Sequence, residues 1–358
     1  MPKLKIALLY GGRSVEHGVS INSARNIFEY IDKEKYEVIP IGISQQGKWF
    51  YTSQVNKEIE KGAPLAIQLD ATSPTFHSEQ TTYSPDVVFP VLHGTDGEDG
   101  SIQGLLKALS LPIVGTGVLG SSMSMSKLVA KRMLKEAGLP VSDFLYCYFA
   151  NHTDYTFEKV KEELGLPFMV KSASLGSSVG VSKVKSEGDF KKAVEDAFRY
   201  DDCVLFERFI KGREIECAIL GNDPPQASLP GEIIINSNYE FYTFDAKYVD
   251  GAAVTIEVPA KLDSTAAKKI RDYSIKAFQT LSCEDFARVD LFLTPSGEVF
   301  INEINTIPGF TNSSMFPMMW KERGLSFTEL ISKLISLAIE RHQRSQRVER
   351  DYLSSLKF

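Results

Sequence analysis

Arg288 and Asp290 lie two residues apart, as do Glu303 and Asn305, and the tetrapeptide Thr294-Pro295-Ser296-Gly297 falls between the two pairs. Proline second and glycine fourth is the composition of a type I turn, so the segment predicts a β-hairpin. Pairing Thr294 with Gly297 sets Arg288 opposite Glu303 and Asp290 opposite Ile301. Side chains alternate between faces along a strand. Arg288, Asp290, Glu303 and Asn305 then share one face, and Val289, Leu291 and Leu293 share the other with Asn302 and Ile304. Two carboxylates and an amide oxygen on one face are a hard, oxygen-only donor set. Mg²⁺ takes such a set when waters and substrate phosphates complete its shell. Alone, the same face is equally a solvated hairpin with an ordinary Arg288–Glu303 surface pair. The chain continues as NEINTIPGF into Gly309, whose backbone can approach a ligand closely.

A second cluster follows Lys171, where SASLGSSVGVS supplies Gly176, Ser177, Ser178 and Gly180. Small residues let backbone N–H groups turn toward phosphate oxygens without interference from Cβ. The lysine precedes the glycines, unlike a Walker A loop, and no GxGxxG opens a helix after the first strand. The segment is a phosphate cradle or a simple turn, and Lys127 is a second lysine for the first reading. CVLFERFI carries Glu207 and Arg208 out of an apolar strand, either as an adenine slot or as plain core. Glu214 beyond it could accept from ribose hydroxyls or sit on the surface. In GGRSVEHGVS, Glu16 falls after a strand, where open α/β sheets bind ligands, and a carboxylate there suits a substrate ammonium. HGTDGEDG brings His93 to the same edge, as a site residue or a helix cap. FDAKYVDG offers Lys247 and Tyr248 on a turn-rich loop, chemistry or surface decoration.

The elements that must hold these residues alternate in type. Strands are predicted over 4–10, 36–43, 87–92 and 112–114, with helices over 20–31 and 102–109. That alternation implies a parallel sheet covered on both faces. Residues 47–85 read as a polar, irregular insertion. Beyond them, a helix over 127–136 stops at Gly138 and Pro140. Strands over 144–149, 168–172 and 204–209, with a helix over 190–198, form a second unit. Strands over 214–220 and 231–235, a helix over 265–281, the hairpin, and a last helix with Phe327, Leu330, Ile331, Leu334, Ile335 and Ala338 on one face form a third.

Over its 358 residues, 43% are hydrophobic and 24% charged, the balance of a globular protein and not of a disordered or collagenous one. A net charge of −6 gives no global attraction to nucleic acid or an anionic membrane, and neither is an expected partner. The apolar run 6–10 is too short for a signal peptide core, and nothing approaches a membrane span. Cys147, Cys203, Cys217 and Cys283 form no CxxC pair, so a reducing, cytoplasmic setting is expected.

Taken in order, GGRSVEHGVSINS, HGTDGEDGSIQG, VKSASLGSSVGVS, FDAKY, ARVDLF and NEINTIPGFTNSS resemble the D-alanine–D-alanine ligase family of the ATP-grasp superfamily, across roughly residues 4–340. One departure is Ser172, where the family usually has proline after the lysine. The resemblance implies an α/β fold, α+β in its ATP-binding part: a three-domain ATP-grasp with an amino-terminal parallel-sheet domain. The expected domains are 1–121 (substrate binding), 122–211 (central) and 212–358 (catalytic). It implies ATP-dependent ligation of two D-alanines through an acyl phosphate, for peptidoglycan precursors. By the same resemblance, Lys127, Lys171 and the Ser178 loop contact ATP phosphates and Lys247 reaches the γ-phosphate. Glu207, Arg208, Phe209 and Ile210 hold adenine, and Glu214 the ribose. Asp290, Glu303 and Asn305 bind two Mg²⁺ ions, with Mn²⁺ as a substitute. Glu16 holds the first D-alanine's ammonium with His93 beside it, and Ser177 and Tyr248 bond to Glu16 and close the site. Ser314 binds the second D-alanine's carboxylate, while Arg288 and the Gly309 N–H form an oxyanion hole. The Lys247–Tyr248 loop is expected to close as a lid, and the chain to form a homodimer. The competing readings are a D-alanine–D-lactate ligase, another ATP-grasp ligase, and a non-catalytic nucleotide sensor.

Overall fold

The computed structural model describes residues 2–177, 179–235 and 254–349. Leu4–Gly11 is an interior strand of a five-stranded sheet, buried from Ile6 on, pairing in parallel with Tyr36–Ile43 on one side and Val87–Pro90 on the other. The helix His17–Tyr30 returns the chain between the first two strands. The predicted strand over 112–114 is reduced to one parallel bridge, Val88 to Ile113. Pro112 has no N–H to give the ladder, and Gly115 then turns away at φ +101°.

The 47–85 segment is not irregular. Trp49–Tyr51 and Ala63–Pro64 extend the first sheet by two antiparallel strands. Ala66–Gln68, Thr75–His77 and Thr82–Tyr83 make a small sheet of their own. Its strands are two or three residues long, too short for alternation to show. Stacked rings, Trp49 on Phe76 and Tyr51 on Tyr83, tie it to the first sheet's edge.

A second, antiparallel sheet runs Val181–Val184, Phe168–Ser172, Cys203–Arg208, Phe144–Tyr148. One face buries Phe168, Val170 and Phe206 against the helices Phe157–Leu164 and Glu187–Phe198. The third sheet places Arg213–Leu220 beside Phe286–Leu293 and then Val299–Asn305. Val289, Leu291 and Leu293 pack with Ile270, Ala277 and Phe278 of the helix Ser264–Thr280. Among the described residues no helix is long and apolar enough to cross a membrane.

The hairpin forms, but not in the predicted register. Gly297 N–H donates to the Thr294 carbonyl at 3.0 Å as the turn requires, yet Gly297 sits at φ +81° and Thr294 N–H bonds to Glu298. A type I turn followed by a left-handed glycine is the usual way to match strand twist, and it adds one residue to the loop. A bulge adds a second: Leu291 faces Ile301, but Asp290 faces Glu303 and Arg288 faces Asn305. Asn302 is the extra residue. It turns toward the cleft instead of the core, where its amide oxygen lies 3.3 Å from Lys171 Nζ. Bulges re-aim side chains in this way. Here one lets consecutive residues, Asn302 and Glu303, serve the same side.

The last helix, Phe327–Ser345, starts on a Ser326–Glu329 capping box. Its Leu330, Ile331, Leu334 and Ile335 share a core with Ile6, Leu8, Ile27 and Phe89 of the first unit. Leu334 is fully buried there. Leu334→Ala should cost about 2–5 kcal/mol, read as a lower midpoint in denaturant unfolding.

Candidate active site

The carboxyl end of the first sheet opens onto a cavity of about 660 Å³. Glu16 stands at the start of the helix His17–Tyr30, 6% exposed, and its Oε1 accepts a hydrogen bond from Ser177 Oγ in the glycine-rich loop. Ser177 reaches it from a left-handed backbone, φ +55°. Such conformations cluster at functional sites in non-glycine residues. Gly94 passes so close that a Cβ would come within 2.7 Å of Glu16 Oε2, so the glycine after His93 is required by contact. His93 is buried, donates from Nδ1 to the Ile307 carbonyl at 2.8 Å, and is bonded through Nε2 to Ser23 at 2.9 Å. Ser23 also accepts from Phe310 N–H at 3.2 Å. The Pro308-Gly309 turn is thereby fixed to the first unit.

Glu98 lies 3.6 Å from His93 Nδ1. Burial pushes its carboxyl up to about 7, against the pull of His93, with the Glu16 charge adding to the rise. Burial lowers the His93 imidazolium, but Glu98 and Glu16 outweigh it and its pKa is raised. Both groups keep protons in the fold that the unfolded chain releases, so the stability they contribute is full below about pH 4.5 and is lost as pH rises through about 7. Glu98→Gln should flatten that fall by up to one proton, about 1.4 kcal/mol per pH unit. Denaturant unfolding from pH 5 to 7 checks it.

The far wall of the cavity carries Arg288, Asn305, Gly309 and Ser314. The Arg288 guanidinium donates to both Asp290 oxygens at 2.7 Å and lies 3.0 Å from Glu216, which is 4% exposed. Ser314 Oγ accepts from Thr311 N–H at 3.0 Å and lies 2.8 Å from Thr311 Oγ1.

A second cavity, about 670 Å³, lies between the second and third sheets. Ligand pockets are typically of this size. Lys171, Glu207, Arg208, Phe209, Ile210, Glu214, Asp290 and Glu303 line it. Lys171 Nζ donates to Glu207 Oε2 at 2.8 Å, and Lys183 lies over the Phe209 ring at 4.0 Å. Burial opposes the Glu207 charge, but Lys131 and Lys171 hold its pKa down to about 2. Ser172, the departure from the family pattern, ties the loop down: its N–H donates to the Gly180 carbonyl at 3.2 Å, a bond proline cannot make, and its Oγ to Ala197 at 2.9 Å.

The two cavities share a boundary. Lys127, Gly176, Glu216, Ile233 and Glu303 line both. Lys127 Nζ, on the first turn of Lys127–Glu136, donates to the Leu175 carbonyl at 2.5 Å and sits 3.7 Å from Glu303. Asp290 and Glu303 face each other across the hairpin, and with the amide side chains of Asn302 and Asn305 in the cavity linings they are oxygen donors of the kind Mg²⁺ takes. Among the described residues no three His, Cys, Asp or Glu side chains converge as a ready-made cage.

Every predicted site residue within the described chain thus lines one cavity or the other; Ser178, Lys247 and Tyr248 lie outside the described residues. Sequence reasoning gave no role to Ser23, Glu98, Lys131, Glu216 or Asn302. Two had a signal. Glu98 stands inside HGTDGEDG, and Glu216 is two residues beyond Glu214 on the same strand face.

Two family models match the chain: D-ala D-ala ligase N-terminus over residues 5–116 and D-ala D-ala ligase C-terminus over 133–336. The D-alanine--D-alanine ligase A of Salmonella typhimurium is 48% identical, the match covering 96% of this chain and 97% of the relative. The solved structure of the D-alanine-D-alanine ligase from Coxiella burnetii is 41% identical, with a TM-score of 0.86 over 97% of each chain. The VanG D-Ala:D-Ser ligase from Enterococcus faecalis is 35% identical, with a TM-score of 0.85 over 94% of this chain and all of that one.

Proposed function

The chain belongs to the D-alanine–D-alanine ligase family, and from that premise we propose how its two joined cavities carry out the reaction. It is an ATP-dependent ligase that joins two D-alanines, a step of peptidoglycan synthesis. The observation that carries the assignment of roles is the shared boundary. ATP in the cleft between the second and third sheets has its phosphate end at Lys127, Gly176 and Glu303, which also form the wall of the cavity that holds Glu16.

A carboxylate is a poor electrophile, so the first D-alanine must be activated. Glu16 holds its ammonium, with His93 beside it, and this points the carboxylate at the boundary. Adenine lies against the backbone of 207–210 and the ribose against Glu214. Lys127, Lys171, Lys247 and the Ser178 loop neutralise the phosphate charge, and positioning with charge neutralisation is most of phosphoryl transfer. Asp290, Glu303 and Asn305 would hold two Mg²⁺ ions, with Mn²⁺ able to substitute; such ions screen the charge of the transferring phosphoryl group. The product of this half-reaction is an acyl phosphate of D-alanine.

The second D-alanine binds by its carboxylate at Ser314. Its amine, as the free base, attacks the acyl carbon, and phosphate leaves. Arg288 and the Gly309 N–H stabilise the tetrahedral oxyanion. Ser177, bonded to Glu16, excludes water that would hydrolyse the acyl phosphate, and Tyr248 is assigned the same task. The proposal extends to a cytoplasmic homodimer and to domain boundaries near 121 and 211, the first of which falls in the gap between the two matched family segments.

Phosphate release from ATP should require D-alanine and Mg²⁺ and fail with L-alanine, and mass spectrometry should identify the dipeptide. A dominant ester with D-lactate, or a mixed dipeptide with D-serine outcompeting D-alanine, would overturn the choice of second substrate.

A further inference from the structure

Lys131 lines neither cavity, yet it is the most deeply buried lysine among the described residues, at 1% exposed. It stands four residues after Lys127 on the helix Lys127–Glu136, so both project from one face. Its ammonium lies 2.8 Å from Ser142 Oγ and 3.5 Å from Glu207 Oε1. Glu207 Oε2 takes Lys171 at 2.8 Å. One carboxylate, 3% exposed, therefore lies between two lysines, one of which faces the cleft.

Burying an ammonium is unfavourable, and burial does lower the Lys131 pKa while that of Lys171 is raised. What Lys131 provides is a charge count. Lys131, Glu207 and Lys171 together carry +1. Glu207 and Lys171 without it carry zero, and a neutral pair in a dry cleft attracts phosphate far less than a net cation. We propose that Lys131 is a positioning residue for ATP: its ammonium, held 3.5 Å from one oxygen of Glu207, offsets the carboxylate's charge so that Lys171, on the other oxygen, keeps its net charge for the phosphate chain. The inference rests on the reading that ATP phosphates lie at Lys171.

The test uses the full chain with Mg²⁺ and saturating D-alanine, varying ATP. Lys131→Met should raise KM for ATP about tenfold to a hundredfold, with kcat changing less than about threefold, and weaken Mg²⁺–ADP binding in calorimetry in parallel. Lys131→Arg should recover most of the loss. The decisive variant is Lys131→Met with Glu207→Gln, which leaves Lys171 alone at +1. It should bind ATP better than Lys131→Met does, whereas a packing role predicts equal or greater damage. A KM within about twofold of wild type in Lys131→Met, or a double variant no better than the single, overturns the proposal. If Lys131→Met does not fold, Lys131→Gln, which keeps a polar partner for Ser142 and removes the charge, carries the test: its KM for ATP should rise about tenfold or more, and a value within about twofold of wild type overturns the idea. A wild-type chain without D-alanine-dependent ATP turnover would instead sink the functional reading itself.

Discussion

Replacing Arg288 with alanine should lower turnover about a hundredfold to a thousandfold, the loss expected for one oxyanion donor, while affinity for ATP stays within a few-fold of wild type. The guanidinium lines the substrate cavity, not the nucleotide cleft. Two carboxylates hold it, Asp290 through paired bonds at 2.7 Å and Glu216 at 3.0 Å, with only 15% of the side chain exposed. A donor fixed in this way needs no reorganisation when charge develops, and the oxyanion forms only after both substrates are bound. Its loss should therefore lower kcat and kcat/KM together. Lysine should not restore the rate, because a point charge cannot reproduce the planar fork that Asp290 grips. Removing Arg288 also strips the buried Glu216 of this partner, so a lower melting temperature is expected as well; nucleotide affinity separates the two effects. Steady-state kinetics with calorimetric ATP binding decide it, and unchanged turnover would remove Arg288 from the mechanism.

Glu303→Gln should raise the Mg²⁺ concentration for half-maximal activity by at least about tenfold, the loss found even for outer partners of metal ligands. Glu303 lines both cavities and faces Asp290 across the hairpin. Glutamine keeps its shape and removes its charge, so packing against Lys127, 3.7 Å away, is little altered. A magnesium titration that superimposes on wild type would contradict the ligand assignment.

How much of this was legible in the sequence depended on the length of the signal. Buried strands such as Tyr36–Ile43 and Phe168–Ser172 declare themselves through clustered apolar residues, and both match their predicted bounds. The edge strands of 49–83 do not, since two or three residues cannot display a period and their anchors are single aromatic rings. In the hairpin the facing set Arg288, Asp290, Glu303 and Asn305 was readable from alternation alone. Its register was not, because alternation does not count bulges: Gly297 and Asn302 each add a residue. Lys131 and Ser23 were invisible for a different reason. Each owes its role to a partner at least 11 positions away, Ser142 or His93, and single-chain spacing holds no trace of such a pairing.

The union of the last helix with the first sheet has a cost during synthesis. Strand Val87–Pro90 emerges early, but Leu330, Ile331 and Leu334, which cover its core, are translated more than two hundred residues later. At roughly 5–20 residues per second, the nascent sheet waits some tens of seconds with an apolar face open. Until the carboxyl terminus leaves the ribosome, that face is where chaperones would bind and where aggregation would begin.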